Sequence, residues 1–182
     1  MKKLFGRAIA AIIAIVGVSA ARAITFSNVQ ITGPAQLVGV LGTDHFVNIG
    51  GQDIDFTFNN ALVGDNRPLR FGTINITFEA QSDVAMVLDK LTLSFSNILL
   101  GSGHIRFEEI VEDFAVPGII ASHTVDLYAP GQAYFKDLVF TRPSTHIKVK
   151  KTIFLDAFDS TDPIVRDLAG IGIVEQKIET VP

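Results

Sequence analysis

The segment that decides the fold runs from Phe71 to Phe107 and reads FGTINITFEAQSDVAMVLDKLTLSFSNILLGSGHIRF. Its apolar residues recur at every second position, which is the spacing of half-buried β-strands and not of a helix. The alternating sets are, in order, Ile74, Ile76, Phe78 and Ala80; Val84, Met86 and Leu88; and Leu91, Leu93 and Phe95. After a flexible turn at Gly101-Ser102-Gly103, the alternation resumes with Ile105 and Phe107. The segment therefore predicts successive strands of one antiparallel domain.

The alternation changes phase at Asp89-Lys90, where the apolar set moves from even to odd positions. A continuous strand cannot shift by one residue without turning its core face to solvent. We therefore predict a β-bulge or a sheet-switching corner at these two residues.

Similar short alternations fill the rest of the chain and give ten to twelve strands at the spacing of a β-sandwich. We predict an all-β fold, an antiparallel β-sandwich of jelly-roll type. Leu37 to Leu41 is predicted as a short strand, and Asp162 to Ala169 as the one helix, because Pro163 suits a first helical turn. Lysines interrupt the run from Ile147 to Leu155, which predicts an edge strand or a strand with one wet face. The predicted core contains Ile74, Ile76, Phe78, Leu91, Leu93, Phe95, Ile105 and Phe107.

Residues 1–23 have the three parts of a secretory signal peptide: a basic start, an apolar run from Ala8 to Ala20, and the small-x-small site Ala21-Arg22-Ala23. The apolar run is shorter than the roughly 20 residues that cross a bilayer. We expect the export machinery to read residues 1–23 and a single β-sandwich domain to occupy residues 24–182. No membrane span is predicted in the mature chain.

Composition excludes several classes of function. Loss of the four basic residues in the signal peptide changes the formal net charge from -4 to -8, and an acidic surface repels nucleic acid. The chain has no cysteine, which removes disulfides, thiolate nucleophiles and cysteine zinc sites. A mature domain of about 160 residues is large enough to fold without such cross-links.

The candidates for chemistry are few. The four histidines, His45, His104, His123 and His146, lack the close spacing of a metal motif and are predicted to lie at the surface. Asp156, Asp159 and Asp162 recur at every third residue of a loop, and loop carboxylates suit calcium. They lack the glycine and the terminal glutamate of an EF-hand, so we expect a solvated loop and no calcium effect on melting. We predict no catalytic residue and no cofactor.

Glu108, Glu109, Glu112 and Asp113 form a second acidic cluster, which we predict to be a solvated rim. Two carboxyl groups can serve a glycosidase, but the consecutive Glu108 and Glu109 should point to opposite faces of a strand. Sugar-binding sites present flat aromatic rings, and this chain has no tryptophan and only the tyrosines Tyr128 and Tyr134. A pocket that gathers Tyr128 or Tyr134 with two carboxylates would favour a carbohydrate-binding or carbohydrate-cleaving module.

The C-terminal segment KVKKTIFLDAFDSTDPIVRDLAGIGIVEQKIETVP resembles the final strands of bacterial exported proteins that carry a PEP-CTERM sorting tail. Val181-Pro182 matches the first half of the Val-Pro-Glu-Pro signature of that family, and SFSNILLGSGHIRFEE, ending at Glu109, is similar to the middle of such proteins. The resemblance implies export, recognition by an exosortase, and a place at the cell surface or in the extracellular matrix. It implies no catalytic residues.

These observations predict an exported, periplasmic, cell-surface or extracellular, non-enzymatic β-sandwich protein that forms part of the matrix or envelope. Its expected partners are extracellular polysaccharide or other surface proteins. The alternative is a carbohydrate-binding or carbohydrate-cleaving jelly-roll module.

Overall fold

A computed structural model describes residues 24–95, 99–128, 133–158 and 166–181, together with the backbone of residues 11–13. Its described part contains twelve strands and one short helix. The elements are β1 (Ala11–Ile13), β2 (Thr25–Thr32), α1 (Ala35–Val38), β3 (His45–Gly50), β4 (Asp53–Phe58), β5 (Leu62–Gly64), β6 (Phe71–Ser94), β7 (Leu99–Leu100), β8 (His104–Asp113), β9 (Gly118–Leu127), β10 (Ala133–Asp156), β11 (Leu168–Gly170) and β12 (Ile173–Thr180).

Two long antiparallel strands, β6 and β10, bend and contribute to both layers of a sandwich. In the first layer, the N-terminal half of β6 and the C-terminal half of β10 pair with β2 and β8, and β9 extends the layer beyond β8. In the second layer, the other halves pair with each other, and β12, β4 and β3 follow in order. A small sheet of β5, β11 and β7 completes the described strands. The fold is an antiparallel β-sandwich of jelly-roll type, as the alternation predicts.

The predicted corner exists, but it lies slightly earlier in β6 than Asp89-Lys90. Both neighbouring strands pair with Met86 and Leu88 and omit Val87 from their registers. Buried positions are even up to Met86 and odd from Asp89 onward. A bulge at Val87 therefore reverses the inward parity, so Asp89 is the first core-facing residue of the second half and not part of a turn.

The interior between the layers holds the predicted core. All eight predicted core side chains are buried, with at most 2% of their surface exposed. They belong to one cluster that also includes residues of β2, β4, β9, β10 and β12. One face of each long strand is thus apolar along both halves, which is what two layers closing on each other require.

Two sequence predictions are wrong, and a third holds in only one of its two alternatives. The segment around Leu37 forms the one-turn helix α1, after which Gly39 adopts a φ of 56° that suits glycine. Leu168 and Ala169 lie in β11, so they are not helical, and residues 162–165 lie outside the described residues. β10 is not an edge strand, because β6 and β8 flank the part that contains Lys148, Lys150 and Lys151. The other alternative, a strand with one wet face, is confirmed, because Lys148 and Lys150 lie on the partly exposed face.

β1 lies within the stretch predicted as a signal peptide, and its backbone pairs with β2 from Val29 to Ile31. The structure does not test whether residues 1–23 are cleaved from the chain, so the signal peptide stays a prediction.

Candidate functional site

The outward-facing side chains of the first layer form a polar surface that contains aromatic rings, which we call the outer face. Strand register aligns its residues in rows across β6, β10, β8 and β9. The first row holds Phe71, Asp156, His104 and, just past the end of β9, Tyr128. The second row holds Thr73, Phe154, Arg106 and Asp126, and the third holds Asn75, Thr152, Glu108 and Thr124. Strands lie about 4.8 Å apart, so a row that crosses four strands is roughly 14 Å long.

Tyr128 provides the most exposed ring of the first row. Its ring stacks on His104 with centroids 4.5 Å apart and planes 7° from parallel, yet 66% of the residue is exposed. His104 is held in turn by Asp126, whose Oδ1 lies 2.8 Å from the His104 Nε2. One face of the tyrosine is therefore fixed on the protein while the other is open to solvent.

The opposite end of the first row is also aromatic. Phe71 and Phe158 are more than half exposed, and their ring centroids lie 6.0 Å apart. Asp156 sits between these rings and His104 in the register. Burial raises the pKa of Asp156 above its usual value, and His104 opposes that shift. The first row thus has Asp156 and His104 between two exposed aromatic positions, and Asp126 of the second row contacts the histidine.

The second and third rows supply hydrogen-bonding groups. The Arg106 Nε donates to the Glu108 Oε1 at 2.9 Å, and both side chains remain largely exposed. Thr152 donates to the amide oxygen of Asn75 at 3.3 Å. Guanidinium, carboxylate and amide groups therefore lie next to the aromatic row and are open to a ligand.

Inward-facing side chains of β8 and β10 in the first layer and of β6 and β12 in the second form a second polar group, the buried cluster, which consists of Asp89, Glu109, Lys151 and Gln176. Each is at most 1% exposed. Lys151 donates to Glu109, and the Gln176 side-chain amide donates to Asp89 and, at 3.2 Å, to the Glu109 Oε1. Burial, followed by the charge of Glu109, raises the pKa of Asp89 well above its usual value. Burial therefore favours the protonated form of Asp89.

The buried cluster corrects two sequence predictions. Glu109 and Asp113 are buried, so the acidic cluster is not a solvated rim, although Glu108 and Glu109 do point to opposite faces as expected. Lys151 is wholly buried, whereas Lys150 forms a partly exposed ion pair with Glu112 at 2.8 Å. Strict alternation is the signal that locates these residues, because Lys151 continues the inward row Ile147, Val149, Ile153 and Leu155.

The other predicted site residues are dispersed. His45 is buried and its Nδ1 lies 2.6 Å from the Val38 carbonyl oxygen, so the surface prediction is wrong for this histidine. The His123 Nε2 lies 2.6 Å from the Tyr134 hydroxyl, and burial lowers the pKa of His123. In the described ranges, no three histidine, aspartate or glutamate side chains are grouped so that they could hold a metal ion. Asp159 and Asp162 lie outside those ranges, so the calcium question at Asp156, Asp159 and Asp162 stays a prediction.

No protein-family model and no curated protein matches this chain. Among solved structures, the chain is similar to the carbohydrate-binding module TmCBM61 in complex with β-1,4-galactotriose, at 8% identity, with 88% of each chain covered and a TM-score of 0.39. It is also similar to a family 11 carbohydrate-binding module from Clostridium thermocellum in complex with a β-1,3-1,4-mixed-linked tetrasaccharide, at 8% identity, 88% coverage of each chain and a TM-score of 0.29. A third is the enzymatically active domain of tailspike protein 4 from bacteriophage CBA120, at 12% identity and a TM-score of 0.36, covering 87% of this chain and 19% of that one. At these sequence identities and TM-scores, the similarities do not support a shared binding site.

Across the described residues, we find no helix whose length and apolar character would suffice to cross a membrane.

Proposed function

We propose that this protein is an exported, non-catalytic carbohydrate-binding β-sandwich whose ligand lies along the first row of the outer face. The observation that carries the proposal is the ring of Tyr128, which is two-thirds exposed and held flat on His104. A ring fixed in this way loses little conformational freedom when a ligand stacks on it.

The chemistry of the row suits a sugar chain. Sugar rings have apolar C–H faces that stack on aromatic side chains, while their hydroxyl groups take hydrogen bonds from the polar neighbours. Tyr128 at one end and Phe71 with Phe158 at the other are separated by Asp156 and His104, and Asp126 of the second row contacts His104. A length of roughly 14 Å exceeds that of a single sugar ring, so the ligand is an oligosaccharide or a segment of polysaccharide.

Binding fits this site better than cleavage. A glycosidase needs two carboxyl groups that reach the scissile bond from opposite sides. On the outer face, Asp126 contacts His104 and Glu108 contacts Arg106, which is an arrangement that fixes hydroxyl groups in place. The carboxyl with the most strongly raised pKa, Asp89, is fully buried and out of reach of any substrate.

The signal-peptide pattern of residues 1–23 and the PEP-CTERM resemblance support a location outside the cytoplasm in this proposal. Export through the signal peptide, followed by sorting by an exosortase, would bring the outer face to the polysaccharides of the envelope or matrix. The acidic charge of the chain favours neutral glycans over nucleic acid as partners.

A glycan array with the purified chain tests the proposal, and it should include β-1,4-galactotriose and β-1,3-1,4-mixed-linked tetrasaccharide. We expect clear hits, and we expect Tyr128→Ala to weaken the best of them by at least about tenfold, equivalent to about 1.4 kcal/mol. Phe135→Ala is the matched control, because Phe135 is equally exposed, at 70%, but lies in the second-layer half of β10. The control should bind like the unchanged protein.

Two results would contradict carbohydrate binding. One is the absence of any hit on the array with folded protein. If the protein without hits is nevertheless retained in extracellular polymer, a structural role in the matrix is favoured. The other is an equal loss of affinity in Tyr128→Ala and Phe135→Ala, which would remove the outer face as the site.

A further inference from the structure

The buried cluster brings an amine and two carboxyl groups together in the dry centre of the sandwich. Lys151 and Glu109 are register partners on β10 and β8 of the first layer. Asp89 and Gln176 lie on β6 and β12 of the second layer and meet them from across the core. The Lys151 Nζ also lies 5.5 Å from the ring centroid of Phe107, so its surroundings are apolar apart from the cluster itself.

Several polar atoms of the buried cluster lack a hydrogen-bond partner. Asp89 Oδ1, Glu109 Oε2 and Gln176 Oε1 are buried without a hydrogen-bond partner among the described residues. An unpaired buried polar atom is costly, and an apolar replacement of a buried ion pair is often no less stable. Such a group in the core therefore calls for an explanation other than stability through ion pairing.

We propose that the cluster is a self-reacting modification site, in which the Lys151 amine condenses with the Asp89 side-chain carboxyl to form an isopeptide bond. Glu109 is the group that moves protons, and Gln176 holds the Asp89 carboxyl in place through its amide donor. The product joins residues of the two layers by a covalent bond in a chain that has no cysteine for a disulfide.

The reaction balances without any further reagent. The Glu109 carboxylate takes a proton from the Lys151 ammonium, and the free amine attacks the Cγ of the protonated Asp89 carboxyl. The new N–C bond forms a tetrahedral intermediate; Glu109 relays a second proton from the nitrogen to the departing hydroxyl, which leaves as water. The products are a neutral amide, one water and protonated Glu109, so charge and atoms are conserved.

The environment favours this reaction for two reasons. The reacting groups belong to one buried cluster, in which Lys151 contacts Glu109 and Gln176 bridges Glu109 and Asp89, and this lowers the entropic cost of bringing the amine to the Asp89 carboxyl. The reaction also replaces a buried ammonium and a buried carboxylate with neutral groups, which relieves the cost of keeping charges in a medium of low dielectric constant. Glu109 suits the role of proton carrier because it contacts Lys151 directly and its charge acts on Asp89.

Mass spectrometry of the intact, denatured protein tests the proposal without any variant. The chain is purified in its folded form, and its N-terminus is sequenced so that the expected mass is known. We expect the observed mass to be lower than the sequence mass by one water, and a digest to contain a branched peptide that joins Asp89 to Lys151.

Matched variants assign the roles. Glu109→Gln should stay at its full sequence mass, whereas Glu108→Gln, which changes the neighbour on the opposite face, should still lose one water. Lys151→Met should stay at full mass and melt roughly 10 °C lower than Lys150→Met, since the link between residues 89 and 151 closes a long loop.

Several outcomes would overturn the proposal. A folded, unchanged chain that keeps its full sequence mass after prolonged incubation would exclude the bond, even if every variant failed to fold. Loss of one ammonia instead of one water would indicate that Gln176 is the acceptor, and a branched peptide at Glu109 would make that residue the electrophile. Either result would contradict the assignment made here. None of these results bears on the glycan site, which is read from binding alone.

Discussion

Glu108 and Glu109 are adjacent in β8, and they meet opposite environments. Glu108 lies on the outer face with Arg106, where both groups remain in water. Glu109 lies in the buried cluster against Lys151, where neither side chain has any exposed surface. The same contrast separates Lys150 from Lys151 on the neighbouring strand. Successive side chains of a strand point to opposite faces. A difference of one position therefore decides whether a charged side chain lies on the outer face or in the core.

The largest expected effect contrasts the two lysines of β10. Lys151→Met removes the buried partner of Glu109 and, with it, the proposed link to Asp89, so we expect a loss of at least about 3 kcal/mol in the free energy of unfolding. Lys150→Met removes an ion pair at the surface and should cost less than about 1 kcal/mol. Urea unfolding of both variants measures the difference. Equal losses of unfolding free energy in the two variants would mean that the burial of Lys151 does not make its substitution the more destabilising one.

A smaller effect is expected at Asp113, where the inward row of β8 reaches the turn into β9. Its carboxylate accepts backbone N–H groups from Ala115 and Val116 and the Arg142 Nε at 3.0 Å. Burial of Asp113 raises its pKa, but these donors outweigh burial and lower it below the usual value of 3.8. Asp113→Ala should cost about 1–3 kcal/mol at neutral pH, because the donors lose their acceptor.

The lowered pKa also gives Asp113 a defined pH dependence. Its stabilisation is fully present above the unfolded value of 3.8 and is lost as the pH falls through the lower pKa of the folded state. Unfolding measured between neutral and acidic pH should show a shallower decline for Asp113→Ala than for the unchanged protein. The same slope in both proteins would assign the acid sensitivity to other carboxyl groups.

The smallest stability effect is expected on the outer face. Arg106→Gln removes an exposed contact with Glu108, so the free energy of unfolding should change by less than about 0.5 kcal/mol. Affinity for a glycan should nevertheless fall, because Arg106 borders the aromatic row. Thermal unfolding and glycan titration of the one variant separate these effects. A large loss of stability would show that Arg106 supports the fold and not the surface alone.

Part of the candidate chemistry was readable in the sequence. Lys151, Glu109 and Gln176 each interrupt an apolar row of period two, as Glu109 does between Phe107 and Val111, and Gln176 between Val174 and Ile178. If the two-residue alternation is continued through these positions, it predicts that their side chains face inward. The charged neighbours of Glu109 instead favoured a solvated rim, and this prediction is wrong because Glu109 is buried. On the outer face, the polar character and outward parity of His104, Arg106 and Glu108 were readable in the same way.

By itself, the sequence determined the antiparallel β-sandwich, its eight predicted core residues and the existence of a corner in β6. Alternation is a local property, and each strand carries it independently of its neighbours. Which side chains meet was decided only by the tertiary structure. Asp89, Glu109, Lys151 and Gln176 come from four strands, and their contact depends on the bulge at Val87 and on the closing of two layers. Tyr128 likewise meets His104 because of the β8–β9 register. Register and layer packing are set by the sum of many distant contacts, so no short stretch of sequence contains them.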